Sequence, residues 1–344
     1  MATEQKTPAG TNAPAGPERI FVTGGTGFVG RHLIRDLVAK GHEVTALSRS
    51  AEGDRLLKAM GARPVRGSLD DIANWSHALS GMDAVVHLAA PISVWGDARE
   101  LTRQIADASV EILRACNRQG VGRMIYLSSE SVLQDGPSLD GIDESHPYPD
   151  RPNSRYGAAK KAAELALLAE PRTTELIILR PPFIWGDGGQ IGDVLDAVKS
   201  GKFVWVDQGR APMEMVHVEN LVHAIELALT RGHDGDIFII TDDAELSVRE
   251  FFTALFNAFG VAPPRKNMPG WLVRPLARIT ETVWRLLRLK STPPLSRFQL
   301  DFVALPRRYD ISRAKRELGY APPVSVEQGM DRIRRIHARE NNSA

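Results

Sequence analysis

The sequence predicts an α/β fold, in which a parallel sheet is covered by helices on both faces. Short apolar runs alternate with segments of helical periodicity along the first half of the chain. Continuous apolar strands separated by helices are typical of a parallel sheet that is buried on both sides. The predicted strands lie at 20–22, 44–47, 84–88, 124–127, 176–179 and 237–240, with a further strand, the third in chain order, ending near Arg66. The predicted helices include 29–38, 105–117, 154–169 and 218–229.

The composition is typical of a globular protein. The chain has 344 residues, of which 43% are hydrophobic and 25% are charged, and its formal net charge is +1. This balance favours no nucleic-acid partner. No window of about 20 uninterrupted apolar residues occurs, so no membrane-spanning helix is expected. The first 17 residues lack the apolar core of a signal peptide and predict a disordered tail.

The single cysteine, Cys116, lies in an apolar helical pattern. We interpret it as a small buried hydrophobic side chain, because free cysteine is among the most buried residue types. With one cysteine no intramolecular disulfide can form, which is consistent with a reducing compartment. The expected location is therefore cytoplasmic, with peripheral membrane contact as an alternative.

Three glycines, Gly24, Gly27 and Gly30, stand where the first strand turns into the first helix. In a dinucleotide-binding loop the first glycine permits the tight turn, the second lets the backbone approach a pyrophosphate, and the third allows close helix–strand packing. The helix N-terminus then presents free N–H groups to the phosphates. This context predicts a doubly wound Rossmann sheet, with Thr26, Phe28 and Val29 also touching the cofactor. A structural turn without a ligand is the alternative.

The alternation of strands and helices changes after Pro181 and Pro182. We predict a dinucleotide-binding Rossmann domain over 18–185 and 216–240. Residues 186–215 and 241–335 are richer in loops, proline and aromatic residues, and they are assigned to a smaller C-terminal substrate-binding lobe.

The end of the second strand bears on which nicotinamide cofactor is used. An acidic residue there holds the ribose 2′-hydroxyl of NAD. This chain has Ser48 and Arg49 instead, and a guanidinium suits the geometry of a 2′-phosphate. The sequence therefore favours NADP(H), with NAD(H) as the alternative cofactor and a solvated surface arginine as the alternative role for Arg49.

Tyr156 and Lys160 are four residues apart on a predicted helix, so they share one face. An ammonium group near a phenol stabilises the phenolate, so we expect Lys160 to lower the pKa of Tyr156. Ser129 follows the fifth strand, at the carboxyl edge of the sheet where ligands bind. Its hydroxyl is predicted to bind a substrate oxygen, and Ser131 is the alternative.

Together with the phosphate loop, this pattern closely resembles the extended class of the short-chain dehydrogenase/reductase superfamily, from Arg19 to about Pro323. Further matching stretches are 87–90, 179–186, 217–221 and 309–320. The resemblance implies that hydride passes between the nicotinamide and a carbon bearing oxygen. It implies that Tyr156 handles the proton, that Lys160 holds the nicotinamide ribose, and that Ser129 orients the oxygen. Cofactor contacts are expected at Leu88, Ala89, Ala90, Pro182 and Ile184.

Two positions depart from the family pattern. Many members have an asparagine in the helix after the fourth strand, where Ile105 stands here, which puts the family's proton-relay water in doubt. Many also have an aspartate after the third strand, where this chain has Ser68. Ser68 and Leu69 are therefore the expected contacts to the adenine.

Within the extended class the chain most resembles 3β-hydroxysteroid dehydrogenase-like enzymes, which implies a hydrophobic, steroid-like or long-chain ketone or alcohol substrate. A nucleotide-sugar epimerase or dehydratase, with Arg210 and Arg297 for a second pyrophosphate, is the alternative, and a non-catalytic nucleotide-binding regulator is a third. The tryptophans near the second lobe are candidates for an apolar pocket or for the core: Trp185, Trp205, Trp271 and Trp284. A homodimer is common in the superfamily. No metal site is predicted, and His87 and His217 are expected to have structural roles.

The stretch 268–290 predicts a basic amphipathic helix. Four arginines fall on one side, and an apolar row that includes Leu272 and Leu276 lies opposite. Such a helix packs against the lobe, covers the substrate as a lid, or lies on an anionic membrane surface. Pro275 must sit in its first turn or kink it.

Overall fold

The computed structural model describes residues 18–91, 97–136, 138–189, 191–287, 289 and 297–343. The predicted tail, 1–17, lies outside these ranges. The strands are β1 (Arg19–Thr23), β2 (Glu43–Ser48), β3 (Arg63–Arg66), β4 (Ala84–His87), β5 (Arg123–Leu127), β6 (Leu139–Ile142), β7 (Glu175–Arg180), β8 (Phe183–Trp185), β9 (Trp205–Val206), β10 (Pro212–Met213), β11 (Met215–His217), β12 (Ile237–Ile239), β13 (Leu246–Ser247), β14 (Asn267–Met268) and β15 (Arg307–Tyr309).

Helices connect and cover these strands. They are α1 (Phe28–Ala39), α2 (Ala51–Ala59), α3 (Ile72–Trp75), α4 (Ala98–Thr102), α5 (Ala108–Gln119), α6 (Arg155–Ala169), α7 (Gly192–Lys199), α8 (Val218–Thr230), α9 (Val248–Ala258), α10 (Gly270–Leu286), α11 (Arg297–Ala304) and α12 (Val326–Ser343).

In the described ranges, seven strands form a parallel sheet in the order β12-β7-β5-β4-β1-β2-β3. This confirms the predicted doubly wound fold. From β1 the chain adds β2 and β3 on one side of the sheet. It then crosses back, and β4 pairs with β1 on the opposite side. Ligands of such sheets bind outside the carboxyl ends of the strands, at this reversal.

Successive side chains of the sheet pack on opposite faces, as strand geometry requires. Ile20 and Val22 belong to a core that also contains α1 and α8. Phe21 belongs to the core on the other face, where its ring stacks on Trp75 at a centroid distance of 5.4 Å. Because both faces are covered, the buried middle positions of the strands are mostly apolar, and most polar residues stand at the strand ends.

The helix after β4 differs from the prediction. One helix was expected over 105–117. In the structure the helical segment begins earlier, with α4, and a π-helical turn at Arg103–Asp107 links α4 to α5. Ile105 lies in that turn and is buried. Cys116 is fully buried on α5, as predicted, and burial raises the pKa of its thiol to about 12.

The second lobe has its own apolar core, built from α7, α9 and α12 around Trp185 and Trp205. These two tryptophans are buried core residues, whereas Trp271 is 75% exposed. The tryptophans therefore do not line one apolar pocket together. A small sheet of the lobe includes β6, which comes from the segment between β5 and α6 and pairs with β15.

Candidate active site

The glycine-rich loop closes tightly on itself between β1 and α1. Gly24 has φ +77°, a conformation that suits glycine. A Cβ added to Gly30 would lie 2.2 Å from the carbonyl oxygen of Gly24, so this position admits no side chain. Gly27 precedes α1 and has no side chain to cap it. No side chain therefore caps the first N–H groups of α1, and a helix N-terminus of this kind can bind a pyrophosphate.

The other predicted cofactor residues of this loop lie at the same turn. Thr26 is exposed, Phe28 is half-buried and Val29 lies under the loop. A Cβ added to Gly53 would touch both Ser48 and Thr26, which places the end of β2 beside the loop.

Arg49 is exposed at the end of β2, where a 2′-phosphate would lie. Its neighbour Ser48 is buried and donates its hydroxyl proton to the carbonyl oxygen of Ser50 at 3.0 Å. Ser50 caps α2 by accepting from the Gly53 N–H. Arg49 and Ser50 are thus the exposed residues of this turn, and of these two Arg49 carries the charge.

The turn after β3 lies next to the same edge, since the Gly67 N–H donates to the carbonyl oxygen of Ser48. Ser68 and Leu69 are half-buried there. The Ser68 hydroxyl accepts from the Asp70 N–H at 3.0 Å, so it already has a partner within its own turn.

The turn after β4 lies directly against the glycine loop. A Cβ added to Gly24 would be 2.9 Å from the Ala89 nitrogen. Leu88, Ala89 and Ala90 are half-buried. Thr23, which the sequence did not single out, accepts a hydrogen bond from the Ala89 N–H at 3.3 Å and thereby joins the two turns.

The turns after β5 and β7 are also joined. The Glu130 N–H donates to the carbonyl oxygen of Pro181 at 3.1 Å. Pro182 is buried and Ile184 is half-buried beside this contact. The structure thus brings the predicted cofactor residues to one edge of the sheet.

Helix α6 places Tyr156 and Lys160 against the end of β5. Ser154 caps the helix by accepting from the Gly157 N–H at 2.9 Å. The ammonium Nζ of Lys160 donates to the carbonyl oxygen of Leu127 at 2.7 Å. It lies 6.0 Å from the centroid of the Tyr156 ring. Burial lowers the pKa of Lys160 to about 7.

The expectation that Lys160 lowers the pKa of Tyr156 is wrong for this structure. Burial raises the pKa of Tyr156, and the carboxylate of Glu130 raises it further. Both effects disfavour a negative charge on the phenol oxygen. Tyr156 therefore keeps its proton at neutral pH, and both effects make its hydroxyl a weaker acid than a free tyrosine.

The strand-end serines differ in their surroundings. Ser129 is half-buried, and its hydroxyl oxygen accepts from the Ser131 N–H at 3.2 Å. Ser131 is 1% exposed, and among the described residues no hydrogen-bond partner reaches its hydroxyl. A Cβ added to Gly157 would be 2.4 Å from the Ser131 carbonyl oxygen, so this turn packs directly on α6.

Glu130 is a buried carboxyl group that sequence reasoning missed. Burial raises its pKa, although Arg307, Gln134 and Tyr309 act in the opposite direction. Tyr309 donates from its hydroxyl to Glu130 Oε2 at 3.3 Å, across 179 residues of sequence. No local pattern marks a residue whose environment is assembled from such distant segments.

The two histidines have structural roles, as predicted. The ring nitrogens of His87 lie 2.6 Å from the Thr23 hydroxyl and 3.0 Å from the Ser109 hydroxyl. Burial lowers the pKa of His87 to about 3, so its imidazole is neutral. His217 caps α8 by accepting from the Glu219 N–H.

Known proteins similar to this chain identify the family to which it belongs. The sequence model of the family described as "NAD dependent epimerase/dehydratase family" matches residues 20–241. A curated relative, the 4-hydroxy-2-methyl-3-oxo-4-farnesyl-3,4-dihydroquinoline-1-oxide ketoreductase of Stigmatella aurantiaca, is 36% identical over 92% of this chain and 96% of its own length. The decarboxylating sterol-4-alpha-carboxylate 3-dehydrogenase of Dictyostelium discoideum is 31% identical over 92% of this chain and all of its own.

A solved structure is also similar. The dTDP-glucose 4,6-dehydratase of Streptomyces venezuelae with NAD and TYD bound has a TM-score of 0.73 and 26% identity, and the match covers 94% of this chain and 98% of that one. The likeness therefore extends over both the sheet and the second lobe.

Proposed function

Because this chain belongs to the NAD dependent epimerase/dehydratase family, we propose that it transfers a hydride between NADP(H) and a ketone or secondary alcohol of a hydrophobic molecule. It is an NAD-dependent oxidoreductase of the extended short-chain dehydrogenase/reductase superfamily, and it acts on CH–OH groups. The observation that carries the proposal is the meeting of Tyr156, Lys160 and the strand-end serines at the sheet edge that also holds the glycine loop.

The residues at this edge fit a dinucleotide. The loop at Gly24, Gly27 and Gly30 would hold the pyrophosphate. The turns at Ser68, Leu69, Leu88, Ala89 and Ala90 would line the adenosine half, and Pro182 and Ile184 the nicotinamide half. The nicotinamide, when bound, gives or takes the hydride.

The chain itself would hold the substrate oxygen and move its proton. In the reducing direction the Tyr156 hydroxyl donates its proton to the carbonyl oxygen, which removes the developing negative charge. Ser129 would orient that oxygen by a hydrogen bond. Lys160, held by the Leu127 carbonyl oxygen, would bind the nicotinamide ribose.

The preference for NADP(H) is supported by the surroundings of Arg49. The end of β2 carries no acidic side chain, since Ser48 is followed by Arg49 and Ser50. The nearby Arg66 is ion-paired with Asp54, whereas Arg49 is exposed. A guanidinium so placed would bind a 2′-phosphate.

An aromatic cluster next to the proposed nicotinamide site supports an apolar substrate. The half-buried Phe183 follows Pro182 directly. Its ring centroid lies 5.6 Å from that of Phe302 and 6.0 Å from that of Phe252. Phe252 is buried in the core of the lobe, whereas Phe183 and Phe302 are half-buried against it, and half-buried rings of this kind would offer apolar surface to a ligand. The names of the relatives describe reactions on farnesyl and sterol compounds, which agrees with this chemistry.

A nucleotide-sugar epimerase or dehydratase is the second candidate, because the similar Streptomyces structure is such an enzyme. That function needs cations for a second pyrophosphate. Arg297 was one candidate, but its guanidinium is ion-paired with Glu281 at 2.9 Å. This pairing weighs against Arg297 in that role, whereas the other candidate, Arg210, is exposed.

The test follows the nicotinamide absorbance band of NADPH during incubation with steroid, long-chain and aromatic ketones. We expect net oxidation with an apolar ketone, loss of turnover in Lys160→Ala and Tyr156→Phe, and near-normal turnover in the neighbouring Lys161→Ala, whose ammonium group binds the Pro149 carbonyl oxygen. Tight NADPH binding without oxidation by any ketone, but conversion of a nucleotide sugar, would establish the second candidate instead.

A further inference from the structure

Helix α10 presents a row of large apolar side chains to solvent. Trp271 is 75% exposed, Ile279 is 60% exposed and Leu286 is 77% exposed. Further exposed apolar residues of this segment are Leu272, Leu276, Val283, Leu287 and Leu289. Of the large hydrophobic residues exposed in the described ranges, only Leu165 lies elsewhere. The apolar surface is therefore concentrated on one helix.

This row is not the face by which α10 joins the protein. Val273 and Ala277 are buried in a cluster with Leu300 of α11 and Val206 of β9. At 100° per residue, these two positions lie roughly 100° or more around the helix from Ile279. Among the residues that the structure describes, the helix is thus anchored on one face and exposes its apolar row on another.

The outward charges of the segment are positive. Arg274 and Arg278 are exposed on α10. The single acidic residue of the stretch 270–290, Glu281, is turned inward, 6% exposed, and bonded to Arg297. That stretch carries five basic residues against this one, while the whole chain has a net charge of only +1.

We propose that α10 docks on the surface of an anionic lipid bilayer. Its apolar row would enter the acyl boundary, and its arginines would bind the lipid headgroup phosphates. A helix that lies in a membrane interface combines apolar and tryptophan side chains on one face with arginines on another. None of the helices in the described ranges has both the length and the hydropathy that a bilayer crossing requires, so α10 lies along the surface. Membrane docking goes beyond the proposed reaction and does not depend on it.

The experiment measures sedimentation of the full-length protein with vesicles of phosphatidylcholine alone and of phosphatidylcholine with phosphatidylglycerol. We expect binding to the anionic vesicles that weakens as salt is added. Ile279→Glu and Leu286→Glu should each weaken it by roughly tenfold, because each removes a large apolar side chain from the acyl boundary. Arg274→Ser with Arg278→Ser should remove the preference for anionic lipid. Leu165→Glu is the matched control, since Leu165 is 45% exposed on α6, and it should bind as the wild type does.

Several results would overturn the proposal. One is absence of binding to anionic vesicles, and another is equal binding to neutral vesicles at every salt concentration. A third is wild-type binding by Ile279→Glu and Leu286→Glu. If the wild type is a dimer by light scattering, binds no vesicles, and becomes a monomer on Ile279→Glu, a second copy of the chain covers this face instead. None of these readouts involves turnover, so failure here leaves the proposed reaction untouched.

Discussion

Replacing Gly30 with alanine would put a methyl group into the glycine loop, where no space exists for it. The new Cβ would lie 2.2 Å from the Gly24 carbonyl oxygen and 2.7 Å from the Gly25 Cα. Both are backbone atoms and cannot rotate away as a flexible side chain can. Since carbon contacts settle near 3.5–4.0 Å, the loop must move by about 1 Å or more.

The expected cost follows from this displacement. Overpacking of this kind destabilises a protein by about 1–3 kcal/mol. The same movement shifts the N–H groups that would hold the pyrophosphate, and each 1.4 kcal/mol lost there raises a dissociation constant about tenfold. We therefore expect Gly30→Ala to lower the free energy of unfolding by about 1–3 kcal/mol and to weaken NADPH binding by about tenfold to a hundredfold.

NADPH fluorescence titration and urea unfolding measure these two quantities. Gly192→Ala is the matched control, because a Cβ at this first residue of α7 would meet no atom within 4 Å. That variant should bind NADPH normally, and its stability should change by less than about 1 kcal/mol. Unchanged NADPH affinity and unchanged stability in Gly30→Ala would refute the steric argument.

Three further predictions concern individual side chains. Arg49→Ala should raise the dissociation constant for NADPH far more than that for NADH, as titration with each cofactor would measure. Glu130→Gln removes a carboxylate that raises the pKa of Tyr156, so the pH profile of kcat/KM should move toward lower pH. Asp242→Asn should lower the free energy of unfolding by about 1–3 kcal/mol, as measured in urea, because the Asp242 carboxylate accepts from the Trp185 indole N–H at 2.6 Å and from other donors.

Each of these has a clear contrary outcome. If Arg49→Ala weakened NADPH and NADH binding equally, Arg49 would not bind the 2′-phosphate specifically. A pH profile of Glu130→Gln that is unchanged or moved upward would show that this carboxylate does not act on Tyr156. Wild-type stability of Asp242→Asn would show that the amide satisfies the same donors, and Asp243→Asn, next to it in the sequence, is the control.

Most of the central sheet was predictable because its strands, except the edge strand β3 (Arg63–Arg66), combine two local signals. Ile20 to Val22 and Leu176 to Leu179 are short apolar runs followed at once by polar or glycine-rich turns. Burial on both faces favours apolar residues at successive strand positions, so these runs can be detected without knowledge of a distant partner. The glycine loop and the Tyr156–Lys160 pair could be detected because their residues lie close together in the sequence.

The second lobe was less predictable, because its strands are held by partners far away in sequence. Strand β6 pairs with β15 across more than 160 residues, and β9 and β14 have two residues each. A two-residue strand has no periodicity to detect. Glu130 was missed for the same reason, since Tyr309 and Arg307 create its surroundings.

Helix α10 was expected at 268–290 and occupies Gly270–Leu286. Pro275 was expected in its first turn or at a kink, and it lies in the second turn. The proline nitrogen cannot donate to the Trp271 carbonyl oxygen, and Trp271 is exposed to water, which can satisfy that oxygen. Amphipathicity located the apolar row but could not show that Val273 and Ala277, on another face, make the contact with the protein.

The burial of Cys116 has a practical consequence for labelling chemistry. It is the single cysteine of the chain, fully enclosed on α5, and its thiol pKa of about 12 leaves almost no reactive thiolate at neutral pH. Maleimide or nitroxide reagents should therefore leave the native protein unlabelled. One cysteine introduced at an exposed position would then carry a spin label or fluorophore without background from Cys116. With a single labelled site, quenching of that probe would report how deeply this position lies in a membrane.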